Sequence, residues 1–465
     1  MKEKKNIKLL YIDLFCGAGG TSTGVESARH KDEKCAKVIA CVNHDANAIA
    51  SHAANHPGTL HFIEDIRVLE LSSLVAHLEK MKAAYPEALV VLWSSLECTN
   101  FSKAKGGQPR DADSRTLALH LFRYIEAINP DYIQLENVVE FTTHSWTKPE
   151  KAVKDSSDYL QWVERVKGYG YTYGCRTLNA ADYGAYTSRK RFFGLFAKRG
   201  LPAAWPAPTH TGKPASSLFG KLERWKPVRE VLDLSDTGES IFTRKKPLCD
   251  KTLWRIYAGL VKFVASSPAP ALTVKDRLSL ISPSFMVSEY SGGGQHSSLD
   301  SACPAILTTP KQKVVSCQYL MNPQFYSAGG SIDAPCFTLI ARMDKMPPYI
   351  ITTEIGQIAV EVYEADSEPM QKIKAFMAQH GIIDIKMRML WIHELMLIMG
   401  FPKGYVLIGS KERKKKFIGN AVEVNMARAL CEALAGAVIA KKLAAINNWI
   451  TLKYDNGNFT RPKYR

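Results

Sequence analysis

Cys98, Glu136, Arg189 and Arg191 are the side chains whose types and placing best suit chemistry. Cys98 lies in ECTNFSKAKGGQPRDADSRTL, a polar loop entered directly from the β-rich run ALVVLW at 88–93. An isolated cysteine is most often a buried structural residue, but a lysine-rich loop at a strand terminus favours a reactive thiol. The run YIQL at 132–135 delivers Glu136-Asn137-Val138 toward the same sheet edge, so a thiol and a carboxylate can face one pocket. A surface glutamate at a strand end is the plainer alternative. DYGAYTSRKRFFGLFA then sets Arg189 and Arg191 two residues apart, and alternate residues of an extended strand point to one side. Both guanidiniums can therefore reach one anion or carboxylate, or they form a solvated basic strand. A thiol, an acid and a cation around one crevice are the equipment of nucleophilic catalysis.

A second cluster sits near the N-terminus. Asp13-Leu14-Phe15-Cys16-Gly17-Ala18-Gly19-Gly20 follows the run KLLYIDL and opens a helical pattern, and its glycines let the backbone pass close to a ligand. The dinucleotide fingerprint fails, because Ser22 occupies its third glycine position. An adenosine-type ligand without a pyrophosphate fits such a turn, and so does a tight strand-to-helix connection with no ligand.

The elements that must position these residues follow from the hydrophobic pattern. Runs at 8–14, 37–42, 88–93 and 132–135 alternate with helical stretches, which predicts an α/β fold with a doubly wound parallel sheet. Ligand crevices in such sheets lie off the carboxyl ends of the strands, where both clusters stand. With 465 residues the chain exceeds one compact core and predicts two domains. Near residue 201 the texture turns to LPAAWPAPTHTGKPASS, and 240–385 is irregular and glycine-punctuated. Apolar-Thr pairs around 273, 308 and 338 mark either a weak repeat of strand-turn-strand units or a chance resemblance. Helical spacing returns at 387–399 (MRMLWIHELMLIM) and at 422–450, and the last helix can return to the first domain.

Composition narrows the partner. Lys+Arg at 61 against Asp+Glu at 45 gives a net charge of +16, which suits a polyanion. The ten cysteines include no C-x-x-C pair, so the sequence signals no metal site and no disulfide framework, and a reducing cytoplasm is expected. The apolar stretch ALCEALAGAVIA is broken by Glu432 and too short for a bilayer, and the N-terminus shows no secretion signal.

The motifs DLFCGAGG, the Cys-x-x-Phe-Ser of ECTNFS, DSRTL, ENV, and DYG followed by Arg-x-Arg occur in the order found in the cytosine-5 DNA methyltransferases. MRMLWIHELMLIMGFP and IGNAVEVNMARAL resemble that family's last two motifs. The resemblance covers 8–200 and 386–435, and it implies a Rossmann-like class I methyltransferase domain over 1–235. It implies also a smaller, mostly β target-recognition domain over 236–385, with helices of 386–465 returning to the first domain. The cofactor implied is S-adenosylmethionine. Phe15 would stack on adenine, Gly17, Ala18, Gly19 and Gly20 would pass the methionine portion, and Asp65, beside Ile66, would accept from the adenine amino group. Asn43, followed by His44, stands where the family carries an acidic ribose ligand, and Asn420 would close the methionine side. The partner implied is double-stranded DNA, with the chain acting as a monomer and away from any membrane. A cognate restriction endonuclease acting separately is left open.

Cytosine C5 is a poor nucleophile, so in this chemistry a thiolate adds to C6 first and converts the ring to an enamine. By the resemblance Cys98 is that nucleophile, Glu136 as an acid relieves charge at N3, Arg191 braces the base and the glutamate, and Arg189 supports phosphate or loop structure. Glu97 replaces the family's proline and Thr187 its glutamine. A carboxylate aimed at the thiol would raise its pKa, an effect that Lys103 and Lys105 can offset. Amino-methyltransferase chemistry is disfavoured, since MPPY at 346–349 begins with a methionine that cannot position an exocyclic amine. An RNA cytosine methyltransferase and a catalytically impaired DNA-binding protein are the remaining alternatives.

Overall fold

The computed structural model describes residues 6–96, 117–142, 156–212, 222–265, most of 318–363 and 365–455, and three short strands between 285 and 314. Glu97, Cys98 and the DSRT of the following loop lie outside the described residues, as does most of the first two repeat units.

The chain divides into two compact units, 1–225 with 338–341 and 396–465, and 226–337 with 342–395. In the first, the parallel strands β1 (Leu9–Leu14), β2 (Ala36–Asn43), β3 (Leu60–Ile63), β4 (Leu89–Ser95) and β5 (Tyr132–Asn137) are joined by α1 (Gly20–Ser27), α2 (Ala46–Asn55), α3 (Ser72–Ala84) and α4 (Leu121–Ile128). Next come α5 (Ser157–Gly168), β6 (Tyr171–Asn179) and β7 (Lys190–Lys198), and β7 runs antiparallel to both β5 and β6. The sheet order is β3-β2-β1-β4-β5-β7-β6, a doubly wound sheet whose order reverses beside β1.

Period-two alternation explains its two cores. Leu10, Ile12 and Leu14 of β1 face one layer with Leu92 of β4, Leu135 of β5, Leu74 of α3, Phe122 of α4 and Trp162 of α5. Leu9 and Tyr11 face the other, with Val38, Trp93 and Phe193, against Val25 of α1 and Met426, Ala427, Leu430 and Leu434 of the C-terminal helix α10 (Val424–Asp455). The last helix thus completes the second layer. Glycine makes the close approach possible: a Cβ at Gly24 would stand 2.5 Å from the Val424 carbonyl oxygen and 2.6 Å from Ala427 Cβ.

In the second unit β8 (Glu239–Ser240), β9 (Gln318–Met321), β10 (Gly330–Ser331), β11 (Tyr349–Ile355) and β12 (Ile382–Met389) form an antiparallel sheet in the order β8-β12-β11-β9-β10. Helices α6 (Asp250–Leu260) and α7 (Glu368–His380) cover it through Leu253, Ile256, Ile373 and Phe376. A second sheet joins Phe285–Ser288 to Gln295–Ser298 and Gln312–Val314. One expectation fails here: 387–389 is the end of β12, and the helix α8 spans only Ile392–Ile398. Ile385 and Met387 are buried at strand spacing. Short apolar runs satisfy both periods, so β pairing with Tyr349–Ile355 decided the outcome. At the α8 start the buried Glu394 accepts from the Trp391 amide at 2.7 Å and from both Arg388 terminal nitrogens at 2.9 Å.

Candidate functional site

The carboxyl ends of β1, β2, β4 and β5 converge on one sheet edge. β1 ends in the turn Phe15–Gly19, where Phe15, Gly17 and Gly19 have φ of 60°, 53° and 100°. A left-handed phenylalanine costs about 1–3 kcal/mol, the kind of strain that persists where surrounding structure enforces it at a working site. Nothing lies within 4 Å of a Cβ built on Gly17, so the turn is open there. Gly19 and Gly20 are closed from behind: their Cβ positions fall 2.4 Å from the Tyr405 hydroxyl and 2.5 Å from the Val422 carbonyl. The Tyr405 hydroxyl donates to the Ala18 carbonyl at 2.6 Å. The C-terminal segment thus buttresses the turn, and Asn420, exposed at the end of α9 (Lys411–Asn420), precedes the Ala421-Val422 pair packed on Gly20.

Asn43 closes β2, and its side-chain oxygen accepts from the Asp45 amide at 2.9 Å, while His44 is exposed. Asp45 caps α2 by accepting from the Asn47 and Ala48 amides, and Arg413 of the KERKKKF helix pairs with it at 3.1 Å. Asp65 is held by Arg67 at 2.6 Å; that hydrogen bond keeps its carboxyl below the usual range. Ile66 is buried, and its carbonyl accepts from Tyr124 at 3.0 Å. The turn, the β2 end and the Asp65 loop therefore follow three adjacent strands along one edge.

Glu136 occupies the end of β5, opposite Ser95 of β4, and is 6% exposed. Burial pushes its pKa up, opposed by Arg191 and Arg189. The Arg191 Nε lies 3.3 Å from its carboxylate oxygen. Arg189 is placed differently: it is buried, and it donates to the backbone carbonyls of Leu339 at 3.0 Å and Gly419 at 3.1 Å. It knots the start of β7 to the 338–341 segment and to α9 through backbone carbonyls. Asn137 donates to the Leu96 carbonyl at 3.4 Å, so the residue after Glu136 holds the chain that leads into the Cys98 loop.

Sequence reading missed a buried polar group directly beneath the glycine turn. Cys16, Cys41 and His52 present ligand-type atoms within 4.8 Å of one another. His52 bonds Ser22 at 2.8 Å on one ring nitrogen and His61 at 2.9 Å on the other, and Ser22 donates to Asp13 at 2.8 Å. Burial raises the Asp13 carboxyl and the Cys16 thiol, whereas a hydrogen bond from Cys16 lowers the Cys41 thiol. Cys16, Cys41 and His52 come from a turn, a strand and a helix and share no metal-ligand spacing, so strand register and α2 together unite them.

The profile of the family described as "C-5 cytosine-specific DNA methylase" matches residues 9–436. The Type II methyltransferase M1.HphI of Haemophilus parahaemolyticus is 29% identical over 210 residues, 44% of this chain and 50% of that protein. M.AgeI of Thalassovita gelatinovora is 27% identical over 208 residues, 44% of each. The chain spans about half the length of the curated relatives it matches. A solved Entamoeba histolytica methyltransferase, EhMeth, aligns over 92% of this chain and 98% of its own at a TM-score of 0.48 and 13% identity, too distant to carry an argument.

Proposed function

Because the chain belongs to the C-5 cytosine-specific DNA methylase family, we propose that it methylates C5 of a flipped-out cytosine in a specific double-stranded DNA sequence, through a covalent Cys98 adduct at C6. The observation that carries this reading is Glu136, buried at the end of β5 with Arg191 at 3.3 Å and with the β4 end beside it. Cys98 follows Ser95 by three residues, so an extended chain lets it stand at most about 10 Å along from Glu136's register partner.

The glycine turn fits S-adenosylmethionine. It is open at Gly17, braced behind Gly19 and Gly20, and flanked by the Asn43 amide and the Asp65 loop. Phe15, Gly17, Ala18, Asn43, His44, Asp65, Ile66 and Asn420 would hold the cofactor, which supplies an electrophilic methyl group when bound. The chain's own residues do the rest. The Cys98 thiolate forms a bond to C6, and negative charge moves toward N3 and the carbonyl of the ring. Glu136, whose pKa burial pushes up against the opposing pull of Arg191 and Arg189, acts in its acid form at N3 and relieves that charge. Arg191 fixes the carboxyl's orientation from one side. After methylation, loss of the C5 proton to a base expels the thiolate and restores the aromatic ring.

A base within a duplex cannot be attacked on its face, so the target must rotate out of the stack. The excess positive charge suits the phosphate contacts this requires. We assign target recognition to the antiparallel second unit, and we place the enzyme in the cytoplasm as a monomer. Nucleoside and bisulfite analysis of DNA from cells expressing the chain tests the proposal. It expects 5-methylcytosine confined to one sequence context and absent with Cys98→Ala; unmodified DNA from cells holding folded protein overturns it.

A further inference from the structure

Asp13, Cys41 and His61 stand in one row across β1, β2 and β3, since Asp13 pairs with Cys41 and Cys41 with His61 in the strand registers. Paired residues of neighbouring strands point to the same face. Two further groups close over that row: His52, wholly buried on α2, and Cys16, buried in the glycine turn. The donor atoms of Cys16, Cys41 and His52 lie within 4.8 Å of one another, and the His61 Nε2 is 2.9 Å from the His52 Nδ1. A second, independent observation points the same way. Asp13 is 0% exposed, and its Oδ1 has no hydrogen-bond partner among the described residues. An unsatisfied carboxylate oxygen at full burial is expensive, and a cation nearby would remove the cost.

We propose that Cys16, Cys41 and His52 bind a structural zinc ion beneath the glycine turn, with His61 or Asp13 completing the coordination. Two sulfurs and imidazole nitrogen are the donor set that zinc takes in structural sites. Zinc–sulfur bonds of about 2.3 Å at tetrahedral angles separate the sulfurs by about 3.8 Å, so donor atoms that already lie within 4.8 Å of one another need to contract by at most about 1 Å. Binding displaces one proton from each thiol to solvent and involves no change of oxidation state. Ser22, which bonds both His52 and Asp13, then orients the His52 ligand and the neighbouring Asp13 carboxyl from outside the metal's own shell. The consequence for the protein is mechanical. The ion would tie the turn at Cys16 to β2 and to α2, fixing the loop whose Phe15 is held left-handed.

The test uses the full-length protein with the exposed Cys175 and Cys249 and the candidate nucleophile Cys98 changed to Ser, so that neither these surface thiols nor the reactive one competes for metal. Chelator-treated protein is titrated with Zn²⁺ and with Co²⁺, and metal content, the cobalt spectrum and thermal unfolding are measured. We expect one equivalent bound per chain, a thiolate-to-cobalt charge-transfer band with tetrahedral d–d bands, and a higher melting temperature with zinc. Cys41→Ser should weaken zinc binding by at least about 100-fold, and Cys16→Ser similarly. Should either variant fail to fold, the wild-type cobalt spectrum still decides, because two thiolate ligands give a charge-transfer band that imidazole and carboxylate alone do not. No such band, or affinity unchanged in both folded variants, overturns the proposal.

Discussion

Gly24→Ala probes how the C-terminal helix completes the first unit. A Cβ at this position would lie 2.5 Å from the Val424 carbonyl oxygen, 2.6 Å from Ala427 Cβ and 2.8 Å from the Arg428 amide nitrogen. Ordinary contact begins near 3.5 Å, so α1 and α10 must separate by roughly 1 Å. Two of the three obstructing atoms are backbone and cannot swing aside. The separation loosens a layer in which Val25 and Ala28 pack with Met426, Ala427 and Leu430. Overpacking of this kind costs about 1–3 kcal/mol, and the backbone obstruction puts the value at the upper end. We therefore expect a fall in melting temperature of about 5 °C by scanning calorimetry, since the unfolding entropy scales with the roughly 300 residues of this unit. Gly436→Ala in the partner helix is the control, because its Cβ would meet only the His30 ring at 3.8 Å. There alanine's better helix propensity should leave stability unchanged or raise it by up to about 1 kcal/mol. Equal melting of Gly24→Ala and wild type would refute the close-approach argument, and so would a loss of the same size in Gly436→Ala.

Other changes address the site more directly. Arg191→Ala removes a positive charge that lowers the Glu136 pKa, so the carboxyl should stay protonated to higher pH. The falling limb of the pH–rate profile should then move to higher pH while kcat drops about 10- to 100-fold, as read from tritiated methyl incorporation; an unmoved limb would contradict the role given to Glu136. Glu423 is held by burial at a pKa of about 7, against an ordinary 4.5, where it accepts from the Met426 amide. Its folded pKa is raised, so its stabilising contribution is complete below about pH 4.5 and is lost as pH rises toward 7, by about 3 kcal/mol in all. Glu423→Gln should therefore flatten the decline of melting temperature between about pH 5 and 7; an unchanged slope would show that the proton sits elsewhere. Asn43→Glu supplies the acidic acceptor for ribose hydroxyls and should tighten S-adenosylmethionine about tenfold by calorimetry, whereas no gain would place the ribose away from the β2 end.

How much of this was written in the residue pattern depended on range. The β1 run with its glycine turn and the YIQLEN strand were legible because each is continuous in sequence and ends in a polar signal. Alternation put Arg189 and Arg191 on one side of a strand without naming a partner, and only the family resemblance paired Arg191 with Glu136, which lies 3.3 Å from it. The stretch at 387–399 was not legible as a strand turning into a helix, because methionine, leucine and isoleucine satisfy either period until a partner strand is known. Arg189 shows a different limit. Its position suggested a pair with Arg191, but its partners are backbone carbonyls 150 and 230 residues away, and no local pattern encodes them. The Cys16–Cys41–His52 group lacks any metal-ligand spacing, since strand register and one helix assemble it. Motifs are visible where chemistry is local, and clusters built by topology are not.

The central claim is a bond between the Cys98 sulfur and C6 of an extruded cytosine, with Glu136 at the ring nitrogen. The most direct measurement incubates the protein with duplex DNA carrying 5-fluorocytosine at the target and with S-adenosylmethionine, then seeks a denaturant-stable adduct by gel and mass spectrometry. The account predicts an adduct mapped to Cys98, abolished by Cys98→Ala and slowed by Glu136→Gln; an adduct on another residue, or none from active protein, would contradict it.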